Sequence, residues 1–181
     1  FGEDLSGNPR TEPFVYDHYL PGSDLTLGVW LKVFGENSLW AARLIPHTLS
    51  TIALALLALF VFLWTKESFL ACIFLALMMV PRAFTAWSIC LYGHSYATAI
   101  VLSYLAVLGS FILKKKSPKA IFGISMLAGF LTPFYALDWS FVLFFSGASL
   151  MLVLQTPRKT MIYALGGIIC GGLTIGLAQL T

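Results

Sequence analysis

Charged residues are scarce in this chain. They make up 10% of its 181 residues, whereas hydrophobic residues make up 59%. Soluble domains carry about 25% charged residues, and a soluble core of this size cannot bury so much apolar side chain without exposing large patches. The composition therefore excludes a soluble enzyme, a disordered tail and a fibrous protein, and it predicts an integral membrane protein. The net charge of +3 is too small to indicate a nucleic-acid partner.

Familiar catalytic and metal-binding motifs are also missing. The sequence contains no phosphate-binding glycine loop, no nucleophile elbow and no HExxH motif. Its three cysteines, Cys72, Cys90 and Cys170, lie far apart in apolar stretches without metal-ligand spacing, which favours buried thiols. A row of intramembrane carboxylates, typical of proton-coupled transporters, is absent as well, and this disfavours a transporter.

Long apolar runs predict an all-α polytopic membrane protein. A helix needs about 20 apolar residues to cross the hydrocarbon of a bilayer, and residues 45–181 supply about six such runs. They span residues 45–64, 69–92, 95–113, 120–137, 139–154 and 161–180. Pro81 and Arg82 interrupt the second run, so either a helix ends at Pro81 or one kinked helix continues to Gly93. Both versions count as one crossing.

Positive charges predict the orientation of the bundle. Seven of the 11 basic residues fall in three short loops between the apolar runs. They are Lys66, Lys114, Lys115, Lys116, Lys119, Arg158 and Lys159. Of the eight acids, only Glu67 falls on that side. Because cytoplasmic loops are rich in Lys and Arg, we expect residues 1–44 outside, on the outer side of a bacterial inner membrane.

The outer segment, residues 1–44, is expected to contain two short interfacial helices before the bundle of residues 45–181. Residues 25–34 and 39–44 are apolar pieces, with possible N-caps at Ser23-Asp24 and at Asn37-Ser38. The alternative is a loop packed over the bundle. The first 24 residues are polar, lack a signal-peptide core and begin with Phe1, so we expect a fragment or a processed product.

Two acidic sites in the outer segment are candidates for catalysis. The adjacent pair Glu3 and Asp4 has the chemistry of a general base or of a divalent-metal ligand, and so does Asp17 beside His18. A solvated terminus and a polar turn are the plainer interpretations of these two sites.

Further polar residues are predicted at the same membrane face, below the outer segment. They are Arg43, His47, Arg82, His94, Tyr96 and Asp138. A guanidinium near a membrane face needs an anion or extends to water, so Arg82 either binds a phosphate or carboxylate or simply snorkels. Asp138 either pairs with Arg82 or faces water. A site for a lipid-phosphate-linked substrate would lie among these residues.

Glycine spacing in the last run predicts close helix packing. Gly167 and Gly171 form one small-xxx-small pair, and Gly172 and Gly176 form another. Such spacing lets two helix backbones approach closely. The neighbour is expected to be a helix of the same chain, with a partner membrane subunit as the alternative.

Residues 16–59 resemble the first outer loop and second helix of polytopic GT-C glycosyltransferases, in the group of protein mannosyltransferases and aminoarabinose transferases. The stretch FGENSLWAARLIP, residues 34–46, is similar to that group's FG-x-(S/N)-x-x-A-x-R-L-P phrase, with one extra residue before Pro46. YGHSYA, residues 92–97, and LTPFY, residues 131–135, resemble two later phrases. Tyr96 fits the first of these phrases, but its acid and its arginine do not appear, and in the second phrase Pro133 replaces a histidine.

The resemblance implies transfer of a sugar from a polyprenyl-phosphate donor to an acceptor at the outer face. Glu3 and Asp4 would match the family's acidic base, and Arg82 would hold the donor phosphate. Family members are two to three times longer, so this chain alone is expected to be inactive. The alternative is a non-catalytic membrane subunit with a partial glycosyltransferase-like fold, packed in a larger membrane complex.

Overall fold

The computed structural model describes residues 22–34, 39–79 and 93–178, which fold entirely into helices and the turns between them. The seven helices in these ranges are α1 (Gly22–Phe34), α2 (Leu39–Thr65), α3 (Ser68–Met79), α4 (Gly93–Leu113), α5 (Pro118–Tyr135), α6 (Trp139–Val153) and α7 (Arg158–Ala178). The all-α prediction is confirmed for this part of the chain. The choice between the two versions of the interrupted second run falls at residues 80–92, outside the described residues.

Among the described residues, two helices are long and apolar enough to cross a membrane: Arg43–Thr65 within α2 and His94–Leu113 within α4. At about 1.5 Å of rise per residue, each is about as long as the bilayer hydrocarbon is thick. Helices α3 and α6 are also apolar but shorter. Large apolar side chains such as Phe69 and Phe141 are 71% and 70% exposed, a surface suited to lipid rather than water. These features support a membrane protein, whereas six crossings stay a prediction.

The start of α2 differs from the sequence expectation. Residues 39–44, expected as a separate interfacial piece, are the first turns of α2, so the boundary at residue 44 lies inside one helix. Pro46 lies within α2 and is buried. A proline inside a helix removes one backbone hydrogen bond, but membrane helices tolerate this loss because neighbouring groups compensate. The helix therefore continues through Pro46 instead of beginning there.

Three tight turns connect the helices in pairs, α2 to α3, α4 to α5 and α6 to α7. Each turn contains one residue other than glycine in the left-handed region: Lys66 (φ 63°), Lys115 (φ 49°) and Gln155 (φ 49°). After Lys115 and Gln155, the next backbone N–H groups reach back to the carbonyls of Phe111 and Met151, closing Schellman-type caps. These caps end α4 and α6 sharply and allow the following helices to fold back.

The closest packing in the bundle joins α5 to α7 through glycine. A Cβ atom at Gly167 would collide with the carbonyl oxygen of Phe122, and one at Gly171 would overlap the carbonyl oxygen of Met126. Gly129 on α5 lies equally close to the backbone of Ile168. The expectation that the glycine spacing serves a helix of the same chain is confirmed for Gly167 and Gly171. The two helices run parallel, since residues further along α5 meet residues further along α7.

The bundle has two chemically different ends. All three tight turns share one end, because Phe60 near the end of α2 fits against Gly109 near the end of α4, and α5 and α7 both start there. We call this the lysine end. At the opposite end, α1 contacts the last turn of α5, and α4 begins beside the turn from α5 to α6. We call that the tyrosine end, after Tyr96 and Tyr135.

A methyl group added at Gly171 is expected to destabilise the fold. Gly171→Ala forces the α5 and α7 backbones apart, and overpacking of this kind costs about 1–3 kcal/mol. Gly166→Ala is the matched control on the same helix, because nothing lies within 4 Å of a Cβ atom there. The control should be neutral or slightly stabilising, since alanine favours helix over glycine. Thermal unfolding in detergent checks both variants, and equal midpoints for the two would contradict the packing described.

Candidate functional site

Two stacked tyrosine rings form the centre of the tyrosine end. Tyr96, in the first turn of α4, is fully buried. Its ring lies nearly parallel to that of Tyr135, in the last turn of α5, with 5.0 Å between ring centroids and 12° between planes. Phe134 and Tyr135 meet edge to face, with ring centroids 5.5 Å apart. Aromatic contacts of this geometry add to the apolar burial that joins α4 to α5.

A hydroxyl chain connects Tyr135 to α1. The Thr26 hydroxyl donates to the carbonyl oxygen of Gly22 at 2.7 Å, and it also lies 2.7 Å from the Tyr135 hydroxyl. A threonine hydroxyl has only one proton, so Tyr135 must donate to Thr26. Gly22 itself packs so closely on Phe134 that a Cβ atom would overlap the Phe134 carbonyl oxygen. Helix α1 is therefore held against α5 by shape and by a directed hydrogen bond.

An imidazole–carboxylate pair borders the same end. His94 Nε2, at the start of α4, lies 3.1 Å from Asp138 Oδ2, at the N-cap position of α6. The Asp138 side chain makes no capping hydrogen bond to α6. Asp138 is 64% exposed and His94 is 22% exposed, so the pair lies between the surroundings and the buried tyrosines. An imidazole oriented by a carboxylate is suited to moving a proton or binding an anion.

Several buried hydroxyls accompany the tyrosines. The side-chain oxygens of Ser95, Tyr96 and Thr132 have no hydrogen-bond partner among the described residues, although all three residues are at least 98% buried. A buried polar group without a partner is costly, by about 1–3 kcal/mol for a hydroxyl. They lie near the stacked rings and add three buried hydroxyls to the polar groups of the tyrosine end.

An apolar groove runs beside this polar cluster, between α1 and α2. It encloses about 370 Å³ and is lined by Leu25, Thr26, Val29, Trp30, Val33, Phe34 and Ile45. The Trp30 indole N–H is buried there without a partner among the described residues. Apolar side chains on α1 with an indole facing a groove are typical of a helix at a membrane interface.

The structure brings together three of the residues predicted for a substrate site: His94, Tyr96 and Asp138. Arg43 and His47 are exposed on the first turns of α2, and neither belongs to the stacked cluster. Asp138 contacts His94, which neither sequence alternative included. The remaining candidates, Glu3, Asp4, Asp17, His18 and Arg82, lie outside the described residues. Within the described ranges, no three or more His, Cys, Asp or Glu side chains gather as a metal site.

Sequence reasoning missed Thr26, Thr132 and Tyr135. The last two belong to the LTPFY stretch, residues 131–135, which carried a family resemblance but no predicted role. An aromatic and a hydroxyl residue at the end of an apolar run, at the same predicted membrane face as Tyr96, would have been a usable signal. Thr26 lies 109 residues from Tyr135 in the chain, and nothing in its local pattern indicates the contact.

Comparison with protein-family models, with curated proteins and with solved structures finds no match to this chain.

Removing the Tyr135 hydroxyl should loosen α1. In Tyr135→Phe, Thr26 loses its donor, and a hydrogen bond of this kind contributes about 1 kcal/mol. The amides of α1 should then exchange hydrogen about fivefold faster, because that free energy governs local opening. Tyr163→Phe, on α7 beside Phe122, is the control and should leave α1 exchange unchanged. Identical exchange in both variants would show that the hydroxyl does not hold α1.

Proposed function

We propose that this chain is an integral membrane protein of about six crossings that takes part in glycosyl transfer. The donor is a polyprenyl-phosphate-linked sugar, and the reaction occurs at the tyrosine end, on the outer side of a bacterial inner membrane. One observation carries the proposal: the tyrosine end gathers a His94–Asp138 pair and unpartnered buried hydroxyls at one end of an otherwise apolar bundle.

The apolar groove and the polar cluster beside it suit the isoprenoid chain and the sugar-phosphate head group of such a donor. The groove between α1 and α2 is almost wholly apolar and is suited to an isoprenoid chain. Thr26 belongs both to this groove and to the hydroxyl chain of Tyr135, so the groove leads directly to the polar cluster. A lipid lying along α1 would therefore bring its head group to the tyrosine end.

The proposed roles follow from chemistry and position. His94 and Tyr96 contact the sugar or phosphate oxygens, and Asp138 accepts a hydrogen bond from a sugar hydroxyl. Arg43, His47, Arg82 and His18 supply further polar and positive groups for the phosphate. Glu3, Asp4 and Asp17 are the proposed bases that remove the proton from the acceptor. These assignments outside the described residues rest on the family resemblance.

A second candidate function is that of a non-catalytic subunit in a larger membrane complex. The scarcity of free carboxylates at the tyrosine end favours this candidate. Asp138 carries the only carboxylate among the side chains that the structure describes there, and it is paired with His94. A base that is already paired in this way is less available to an acceptor. The bundle described could thus hold a lipid-linked sugar without transferring it. In that case, partner subunits would cover the parts of the α7 surface that α5 does not already contact.

Donor binding and transfer, measured separately in proteoliposomes of the full-length natural protein, test the proposal. Tyr96→Phe and Asp138→Asn each remove one polar contact, and each should weaken binding of a labelled polyprenyl-phosphate sugar about tenfold. Tyr163→Phe should bind like the natural chain. Glu3→Gln and Asp4→Asn should lower transfer by about 10²–10⁴ while leaving donor binding intact, as expected for a lost general base.

The outcomes separate the two candidates. Donor binding that is sensitive to Tyr96 and Asp138, without any transfer, would support the non-catalytic subunit. Donor binding that Tyr96→Phe and Asp138→Asn leave unchanged would refute a donor site at the tyrosine end.

A further inference from the structure

Positive charge is concentrated at the lysine end. The three tight turns and the helix starts beside them carry Lys66, Lys114, Lys115, Lys116, Lys119, Arg158 and Lys159, all exposed. Glu67 is the only carboxylate that the described residues place there. Like charges so close together repel one another unless an anionic partner neutralises them. This imbalance is independent of the tyrosine end and of the proposed glycosyl transfer.

Two parallel helix N-termini lie side by side within this charged surface. Phe122, one turn into α5, and Tyr163, one turn into α7, meet edge to face with ring centroids 6.4 Å apart. Gly167 then rests on the Phe122 backbone. Both helices therefore begin next to each other, and their partial positive charges point in the same direction. Lys119 on α5 and Arg158 and Lys159 on α7 lie in these first turns.

The two N-termini differ in how their backbone N–H groups are satisfied. Ser117 caps α5 by accepting a hydrogen bond from the Ala120 amide. At the matching position before α7 stands Pro157, whose carbonyl accepts the Met161 amide but whose side chain has no acceptor. Thr156, immediately before it, has a buried hydroxyl without a partner among the described residues and is only 7% exposed. The start of α7 therefore offers free donors that an anion would satisfy.

Exposed apolar side chains next to these donors indicate which class of anion binds there. Leu152 and Val153, just before the turn, are 67% and 62% exposed, and Ile162, one turn into α7, is 62% exposed. A free phosphate or a polynucleotide would leave this apolar surface uncovered. A phospholipid would cover it with an acyl chain while its phosphate reached the basic residues.

We propose that the first turns of α5 and α7 form a binding site for the head group of an anionic phospholipid of the surrounding bilayer. The phosphate accepts hydrogen bonds from the α7 N-terminus and from the Thr156 hydroxyl. Lys119, Arg158 and Lys159 supply the charge, and the acyl chain lies against Ile162 and the end of α6.

Lipid titration of the natural chain in detergent, followed by native mass spectrometry, tests the site. The probes are phosphatidylglycerol and phosphatidylcholine with identical acyl chains. The natural chain should bind phosphatidylglycerol at least about tenfold more tightly, since the two lipids differ in net charge. Raising the salt concentration should narrow this difference. Equal affinity for the two lipids, or full displacement of phosphatidylglycerol by millimolar inorganic phosphate, would overturn the proposal.

A pair of matched variants locates the site. Lys119→Gln with Lys159→Gln removes two charges from the proposed site and should weaken phosphatidylglycerol binding about thirtyfold. Lys32→Gln with Lys66→Gln removes two charges elsewhere, one of them at the lysine end, and should keep the affinity of the natural chain. Equal losses in both variants would mean diffuse attraction instead of a site. If the first variant does not fold, the comparison of lipids on the natural chain still decides.

Discussion

The close approach of α5 and α7 is the contact on which the rest of the structure depends. In a bilayer, apolar surface alone gives helices little reason to associate, because lipid tails are as apolar as leucine side chains. Close van der Waals packing must then hold them together, and Gly129, Gly167 and Gly171 allow the two backbones to touch. This contact keeps the two helices parallel and in register. It also determines which elements meet at each end of the bundle. The starts of α5 and α7 meet at the lysine end, and the end of α5 meets α1, α4 and α6 at the tyrosine end.

The two ends differ because different constraints act on them. At the lysine end, residues with a left-handed backbone conformation close short turns. The basic side chains in and beside these turns are exposed. At the tyrosine end, buried hydroxyls, an imidazole and aromatic rings gather. A buried polar cluster costs stability unless a partner satisfies it. A ligand at that end and an anionic lipid at the other would each offset such a cost.

Helix positions could be predicted from the sequence because they follow from apolar runs of fixed length. The predicted run 95–113 corresponds to α4, and 120–137 to α5, to within about two residues. The start of α2 could not be predicted, because whether Pro46 ends or merely bends a helix depends on the neighbours that bury it. At the site, His94, Tyr96 and Asp138 could be placed at one face from the topology. Their partners could not, since the contact of Tyr135 with Thr26 and that of Asp138 with His94 join distant parts of the chain.

We propose that the tyrosine end and the lysine end lie on opposite faces of one membrane. The most direct measurement is labelling of single cysteines in sealed, oriented membrane vesicles, after replacement of Cys72, Cys90 and Cys170. Cysteines introduced at Asp138 and at Lys115, both exposed positions, would report the two ends. We expect an impermeant reagent to label the first cysteine from the outer face only and the second from the inner face only. Labelling of both from the same face would contradict it.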